Sequence, residues 1–474
     1  MKHTTYSWFT AFTTLACLFS RTHALSNTFA IIGGTGRIGT AIATHLLLRS
    51  PKDSQFEILL IGRDQVRGFN AVEEVLLDAD SAGSGLKGDH QVIYQCADWR
   101  NQNDLRKIAS MADCLIHTAG PFLGEDPSPL REAIASTRCK VYVDVSDPLD
   151  FINASLDMNN DAKHCGTSAL LASGAFPGLS NVLAMEAASC LDEDDKVKDL
   201  RFNYFTAGLG GSGNINLYIT NIGFGEPMAQ FERGALRLYE QLSGLLLGKV
   251  NFFLDEENSQ NIRKGSGNTE AKKRIGTQTV FSWPFPEAAT VAQHLKVSGE
   301  SSAAMGTAPD IWNTMLGILV NIVPRAWWRS KAFSKFMADF SQPLVKATDL
   351  LLKQTSQDNV GETHAMRVDV IGESGTAISC VQAHESFRRC VGQSCAEFAL
   401  DLMDNPSPGV QLPEQRYADP SLRKQIIKRL TSTPGTIAFT GAAIVEAAPS
   451  PTGLKKALQQ AGETESKLSQ KHWW

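Results

Sequence analysis

Short apolar runs alternate with stretches of helical spacing along the first third of the chain. Residues 29–32 predict a buried strand, and after a glycine-rich turn Ile38, Ala41, Ile42 and Leu46 recur at helical intervals until Pro51 stops the helix. Strands are predicted at 56–61, 92–96, 114–118 and 140–145, with helices at 104–111 and 130–136 between them. This alternation builds an α/β fold, a Rossmann doubly wound parallel sheet covered by helices on both faces.

Past about residue 151 the pattern changes. Glycine-rich punctuation at 208–213 and 264–267 separates aromatic-rich segments, strands are predicted at 277–286, 366–371 and 377–383, and a helix at 389–403. An inserted α+β substrate domain with more antiparallel pairing is expected. The resulting division is a signal or targeting segment over 1–24, a Rossmann domain over 25–150 and the α+β domain over 151–404. A C-terminal return segment over 405–447 and a mobile tail over 448–474 complete it.

The first residues read as an address. Met1-Lys2-His3 is a basic start, 8–19 is an apolar run too short to span a membrane, and Thr22 and Ala24 offer small residues for cleavage. Because the first acidic residue is Asp53, an organellar presequence competes with a secretory signal, and a cytosolic chain with a frayed apolar start is a third reading. An organelle of the ER or plastid type is expected ahead of secretion.

Composition narrows the class. The 474 residues are 43% hydrophobic and 20% charged with a formal net charge of −5, which is ordinary globular chemistry and argues against nucleic acid as a partner. Nine cysteines are too scattered for a disulfide scaffold, and Cys390 and Cys395 lack a second pair for zinc, so buried thiols are expected and no metal site.

Candidate chemistry centres on Gly34-Thr35-Gly36-Arg37-Ile38-Gly39, a G-x-G-x-x-G sequence joining a buried strand to a helix. The first glycine permits a tight turn, the second lets backbone approach a pyrophosphate, and the third permits close helix packing; the helix N-terminus supplies N–H groups. At the end of the second strand, where an NAD site carries a carboxylate for the ribose, this chain has Gly62-Arg63, with Arg67 a turn away and Asp64 as a complication. A guanidinium pairs with a 2′-phosphate, so NADP is expected over NAD.

With these motifs the chain resembles the saccharopine dehydrogenase-like oxidoreductases. The resemblance runs from the glycine loop through Ala97-Asp98, Ala119-Gly120-Pro121-Phe122, Tyr142-Val143-Asp144 and 174–181 (GAFPGLSN) to Pro408-Gly409-Val410 and Leu412-Pro413-Glu414. It implies a Rossmann domain completed by a C-terminal return, with Asp98 near the adenine and Ala119, Gly120 and Pro121 beside the nicotinamide ribose. It also implies hydride transfer to a C=N, C=O or activated C=C bond of a small-molecule substrate. A dinucleotide-binding redox sensor or scaffold without turnover is the alternative.

Absent motifs matter too. None of the seven tyrosines has a lysine four residues on, so short-chain dehydrogenase chemistry is excluded. The catalytic acid is left unassigned: His117 reads as a core or catalytic histidine, and Asp144 and Asp147 as substrate orienters or helix caps. Arg201, Arg233 and Arg237 are the arginines available to an acidic substrate. The segment 310–340 is apolar with an aromatic and basic cluster, fitting a peripheral membrane contact, a lid over an apolar substrate, or buried helices. Asn153-Ala154-Ser155 matches a glycosylation sequon.

Overall fold

Phe29, Ala30, Ile31 and Ile32 are wholly buried, as a strand with sheet neighbours on both sides and helices on both faces requires. The structure is a computed structural model describing residues 27–50, 56–82, 91–207, 214–232, 234–239, 243–253, 275–308, 310–355 and 363–445. The expected targeting segment, both glycine-rich punctuators, Arg233 and the C-terminal tail lie outside the described residues.

In chain order the strands are β1 (Asn27–Ile32), β2 (Phe56–Gly62), β3 (Gln91–Cys96), β4 (Cys114–His117), β5 (Val141–Asp144), β6 (Ser168–Leu170), β7 (Val197–Ala207) and β8 (Met228–Glu232). There follow β9 (Ala235–Tyr239), β10 (Leu246–Asn251), β11 (Thr277–Ser282), β12 (Glu300–Ala308), β13 (His364–Gly372), β14 (Ala377–His384), β15 (Gly409–Gln411) and β16 (Thr436–Val445). Among the described residues, seven form a parallel sheet in the order β15-β6-β5-β4-β1-β2-β3. The direction of winding reverses between β1 and β4, which opens a crevice at their C-terminal ends.

The second sheet runs β10-β11-β12-β7-β13-β14-β16, with the β8–β9 hairpin attached to β12. It is antiparallel except where β12 lies parallel to β7. Helices Leu179–Ala188 and Glu287–His294 cover one face. One apolar cluster continues from Phe29 and Ile31 through Cys395 and Phe398 to Leu200, Phe202 and Met366, so the two sheets share a core.

Three expected boundaries move. The first sheet does not stop at residue 150, because β6 pairs with β5; a three-residue strand after two short helices leaves no periodic signal. The return segment splits: β15 joins the first sheet, whereas β16 pairs with β14 in the second. Helix Phe387–Asp404, assigned by sequence to the second domain, lies against helix Arg37–Arg49 of the first. The 310–340 segment forms helices Asp310–Ile322 and Arg325–Trp328 and the start of Lys331–Thr355. Ile311, Met315, Ile318 and Ile322 are exposed, so the first is not a core helix. The sequon sits within helix Leu149–Leu156, where the Ser155 hydroxyl is buried and donates to the Phe151 carbonyl.

A buried carboxylate locks this arrangement. Glu397 accepts from His45 Nε2 at 2.8 Å and faces Arg49 Nε at 2.7 Å and Arg429 Nε at 2.7 Å, joining three helices. Burial alone would raise its pKa, but His45 and Arg429 outweigh that and hold it at about 2. Replacing it by Gln should cost on the order of 3 kcal/mol at neutral pH. An unfolded glutamate titrates near ~4.3. The carboxylate's contribution is therefore present above that value and lost as pH falls toward about 2. Urea unfolding of the wild type and Glu397→Gln should converge in stability over this window.

Candidate functional site

The chain leaves β1 through a turn that only close backbone contacts permit. Gly33, one residue before the motif, has φ +80°, and a Cβ there would lie 2.9 Å from the Ala119 nitrogen. The turn is therefore made by Gly33 rather than by Gly34, whose missing Cβ instead makes room for Leu60 Cα at 2.8 Å. Gly36 caps helix Arg37–Arg49 with no side-chain bond of its own, leaving the N-terminal N–H groups directed at the crevice.

The loop after β4 closes the other side. Thr118 donates from its backbone and its hydroxyl to the Ile32 carbonyl, at 2.8 and 3.0 Å, which seats Ala119, Gly120 and Pro121 against the glycine turn. Gly34, Thr35, Gly36, Arg37 and Ile38 thus stand at the reversal point beside Ala119-Gly120-Pro121.

At the end of β2, Arg63 and Asp98 face each other at 4.0 Å with side chains 68% and 41% exposed, a loose pair that a ligand can rearrange. Asp64 is the cap of helix Gln65–Ser81, accepting from the Arg67 backbone at 3.0 Å. Arg67 Nε donates to the Thr35 carbonyl at 3.0 Å, so its guanidinium is tied to the glycine loop. Asn101, three residues after Asp98, caps the following helix.

His117, read as a core or catalytic histidine, and Asp144, read as a substrate orienter or helix cap, are both held in the interior. His117 is wholly buried among Trp99, Phe122 and Phe151, and burial lowers its pKa to about 3. Asp144 accepts from the Ser146 backbone and hydroxyl, the Ala172 backbone and the Tyr142 hydroxyl, tying the ends of β5 and β6 together. Asp147 is different: it is half-buried on the loop after β5. Its pKa is raised to about 6 by burial first, then by Glu226, Asp150 and Asp144.

Sequence reasoning missed Glu287. It accepts the Tyr204 hydroxyl while Tyr204 stacks on Phe176 at 4.2 Å, and burial raises its pKa to about 8. A lone glutamate in an apolar stretch was its only signal. The GAFPGLSN and LPE motifs meet directly: Asn181 Nδ2 donates to Glu414 at 2.8 Å, and its carbonyl accepts from the Gly178 backbone.

A cavity of about 240 Å³ lies in the second domain, lined by Phe224, Trp283, Met305, Trp312, Leu316 and Phe340 among others. Neither Arg201 nor Arg237 lines it, and Arg237 instead faces Glu232 at 3.8 Å. Phe224 lies two residues before Glu226, whose charge acts on Asp147, so the cavity sits close to the acidic side of the crevice.

The glycines separate folding from binding. A Cβ on Gly39 would lie 2.5 Å from the Gly33 carbonyl oxygen, whereas one on Gly36 meets only that oxygen, at 3.1 Å. Gly39→Ala should therefore cost about 1–3 kcal/mol by overpacking. Gly36→Ala should cost under about 1 kcal/mol, as an exchange at a helix cap. Denaturant unfolding of both variants checks this contrast.

No family model and no curated protein sequence matches the chain. Among solved structures, apo saccharopine dehydrogenase (L-Glu forming) from Saccharomyces cerevisiae aligns with 88% of this chain and 100% of its own, at 12% identity and a TM-score of 0.55. GenD2 from gentamicin A biosynthesis, in complex with NAD, aligns over 90% and 98% at 11% identity, but its TM-score of 0.34 carries no argument. In fold, the chain is similar to saccharopine dehydrogenase.

Proposed function

We propose that the protein is an NADP-dependent oxidoreductase that delivers hydride to a C=N, C=O or activated C=C bond of a small, largely apolar substrate. The carrying observation is the cradle at the reversal point. The missing side chain at Gly36 leaves the first backbone N–H groups of helix Arg37–Arg49 open to a pyrophosphate, and Arg67, tied to the Thr35 carbonyl, and the exposed Arg63 at the end of β2 would supply guanidinium groups to a 2′-phosphate. NADPH bound there supplies the hydride. Ala119, Gly120 and Pro121 would orient the reduced ring, and Asp147, holding a proton up to about pH 6, would donate it to the reduced acceptor. The apolar cavity supports an apolar substrate over a dicarboxylic one.

Binding of NADPH and NADH, followed by nicotinamide fluorescence, tests the cofactor. Wild type should prefer NADPH, and Arg63→Ala should lose about 1.5 kcal/mol for NADPH alone, the low end for a charged hydrogen bond because the site is exposed. Gly36→Val should abolish binding of both. Equal affinity of the wild type for the two dinucleotides would overturn the NADP assignment.

Turnover is tested with 4-deuterated NADPH against a panel of aliphatic ketones, enones and imines; label should arrive from one face only. The rate should fall as pH rises through about 6, and Asp147→Asn should lose that limb. Binding without consumption of NADPH across the panel would favour the sensor reading. We also propose that residues through about Ala24 are removed on entry to an organelle with its own NADPH pool; mass spectrometry of native material should find a mature terminus near Leu25.

A further inference from the structure

Helix Asp310–Ile322 exposes Ile311, Met315, Ile318 and Ile322, a single stripe at helical spacing, with Ile322 73% accessible. Helix Lys331–Thr355 exposes a second stripe of Phe336, Phe340 and Leu344, in which Phe336 and Phe340 stack at 6.3 Å. Met315, Phe340 and Leu344 belong to both stripes' surface and cavity lining, so the cavity reaches the surface between these two helices. Soluble surfaces rarely carry a contiguous apolar patch of this kind without an occupant.

We propose that this face is the surface on which the protein rests on an anionic phospholipid bilayer, with the cavity drawing its apolar ligand from the bilayer's hydrocarbon.

Charge selects the occupant. Over 310–347, Arg325, Arg329, Lys331, Lys335 and Lys346 stand against only Asp310 and Asp339, in a chain whose formal net charge is −5. A two-fold contact with a second copy would place this basic patch against itself, whereas anionic headgroups complement it. Trp327, exposed between Arg325 and Arg329, has the amphipathic ring that collects at the headgroup level. Among the described residues no helix is long and apolar enough to cross a membrane, so the contact is peripheral.

The cavity carries a matching signal. Trp312 lines it, and its buried indole N–H has no hydrogen-bond partner among the described residues. A donor left open in an apolar wall suits a ligand with one acceptor oxygen on a hydrocarbon body. An apolar cavity of ~150 Å³ takes up benzene; at about 240 Å³ this one has room for a longer alkyl or prenyl segment.

Vesicle sedimentation of the full chain is the test, with phosphatidylcholine alone and with added phosphatidylserine. Wild type should bind the phosphatidylserine vesicles, and more weakly at high salt. The Ile318→Glu/Phe340→Glu double variant should bind at least about tenfold more weakly. Leu77→Glu, at an exposed apolar site on another helix, should bind like wild type. The apolar start of the chain is common to all variants and cancels in the comparison. A Lys331→Glu/Lys335→Glu variant, which alters no apolar side chain, should lose the preference for phosphatidylserine. Equal binding by wild type and Ile318→Glu/Phe340→Glu would overturn the proposal. So would a wild-type dimer on size exclusion that this variant dissolves, with no vesicle binding in either. Vesicle binding needs no nicotinamide, so either outcome leaves the hydride reading untouched.

Discussion

The crossing of helices Arg37–Arg49 and Phe387–Asp404 holds the rest in place. At Gly392 the two backbones come so close that a Cβ would lie 2.7 Å from that of Ala41. Five residues further on, Glu397 is bonded to His45, Arg49 and Arg429. The first of these helices begins at the glycine turn, so its axis sets where the N-terminal N–H groups and their dipole point. The second is buried along nearly its whole length and carries residues of the core shared with the second sheet. The geometry of the glycine turn therefore depends on a contact between segments some 350 positions apart in sequence.

That separation explains what sequence reading reached. Elements whose signal is local were found at nearly their full extent: the strand through Phe29, the strand through Leu59, and the helix that ends at Pro51. Helix Phe387–Asp404 was also visible, but not its partner, because polar residues such as Gln393, Glu397 and Asp401 are buried along with the apolar ones and leave no clean face to read. β6 is three residues long, and β7 owes its place to β12 and β13, which arrive about a hundred and more positions later. At the site, spacing located the glycine loop at the end of β1 but gave the tight turn to Gly34, one residue after Gly33, which makes it. The state of Asp147 could not be read from spacing, since its raised pKa comes from burial and from Glu226 and Asp150, which reach it only through folding.

Buried acids divide by their partners. Glu397 is compensated by guanidinium groups and stays ionised, which makes it a clamp. Asp144 is satisfied by four donors and serves as a junction between β5 and β6. Glu287 has only a tyrosine hydroxyl, and burial keeps it protonated to about pH 8. Asp147 and Glu226 are each half-buried with a pKa raised first by burial, that of Asp147 to about 6, and neither is held by a network of donors like that around Asp144.

The two halves of the molecule differ in polarity. The crevice side gathers Asp147, Asp150 and Glu226 with Arg329 acting on Glu226, a polar environment for a reacting head. The cavity side is lined by Phe224, Trp283, Met305 and Leu316. Phe224 and Glu226 lie on one short turn held by Arg325 and Arg329, whose guanidinium groups donate to the Phe224 and Gly225 carbonyls at 2.6 and 2.7 Å. Those same arginines belong to the basic cluster beside the exposed apolar stripes. A bilayer contact at that cluster would act on the turn that carries Phe224 of the cavity wall and Glu226 beside Asp147, so the proposed lipid contact and the proposed proton donor would share one structural element.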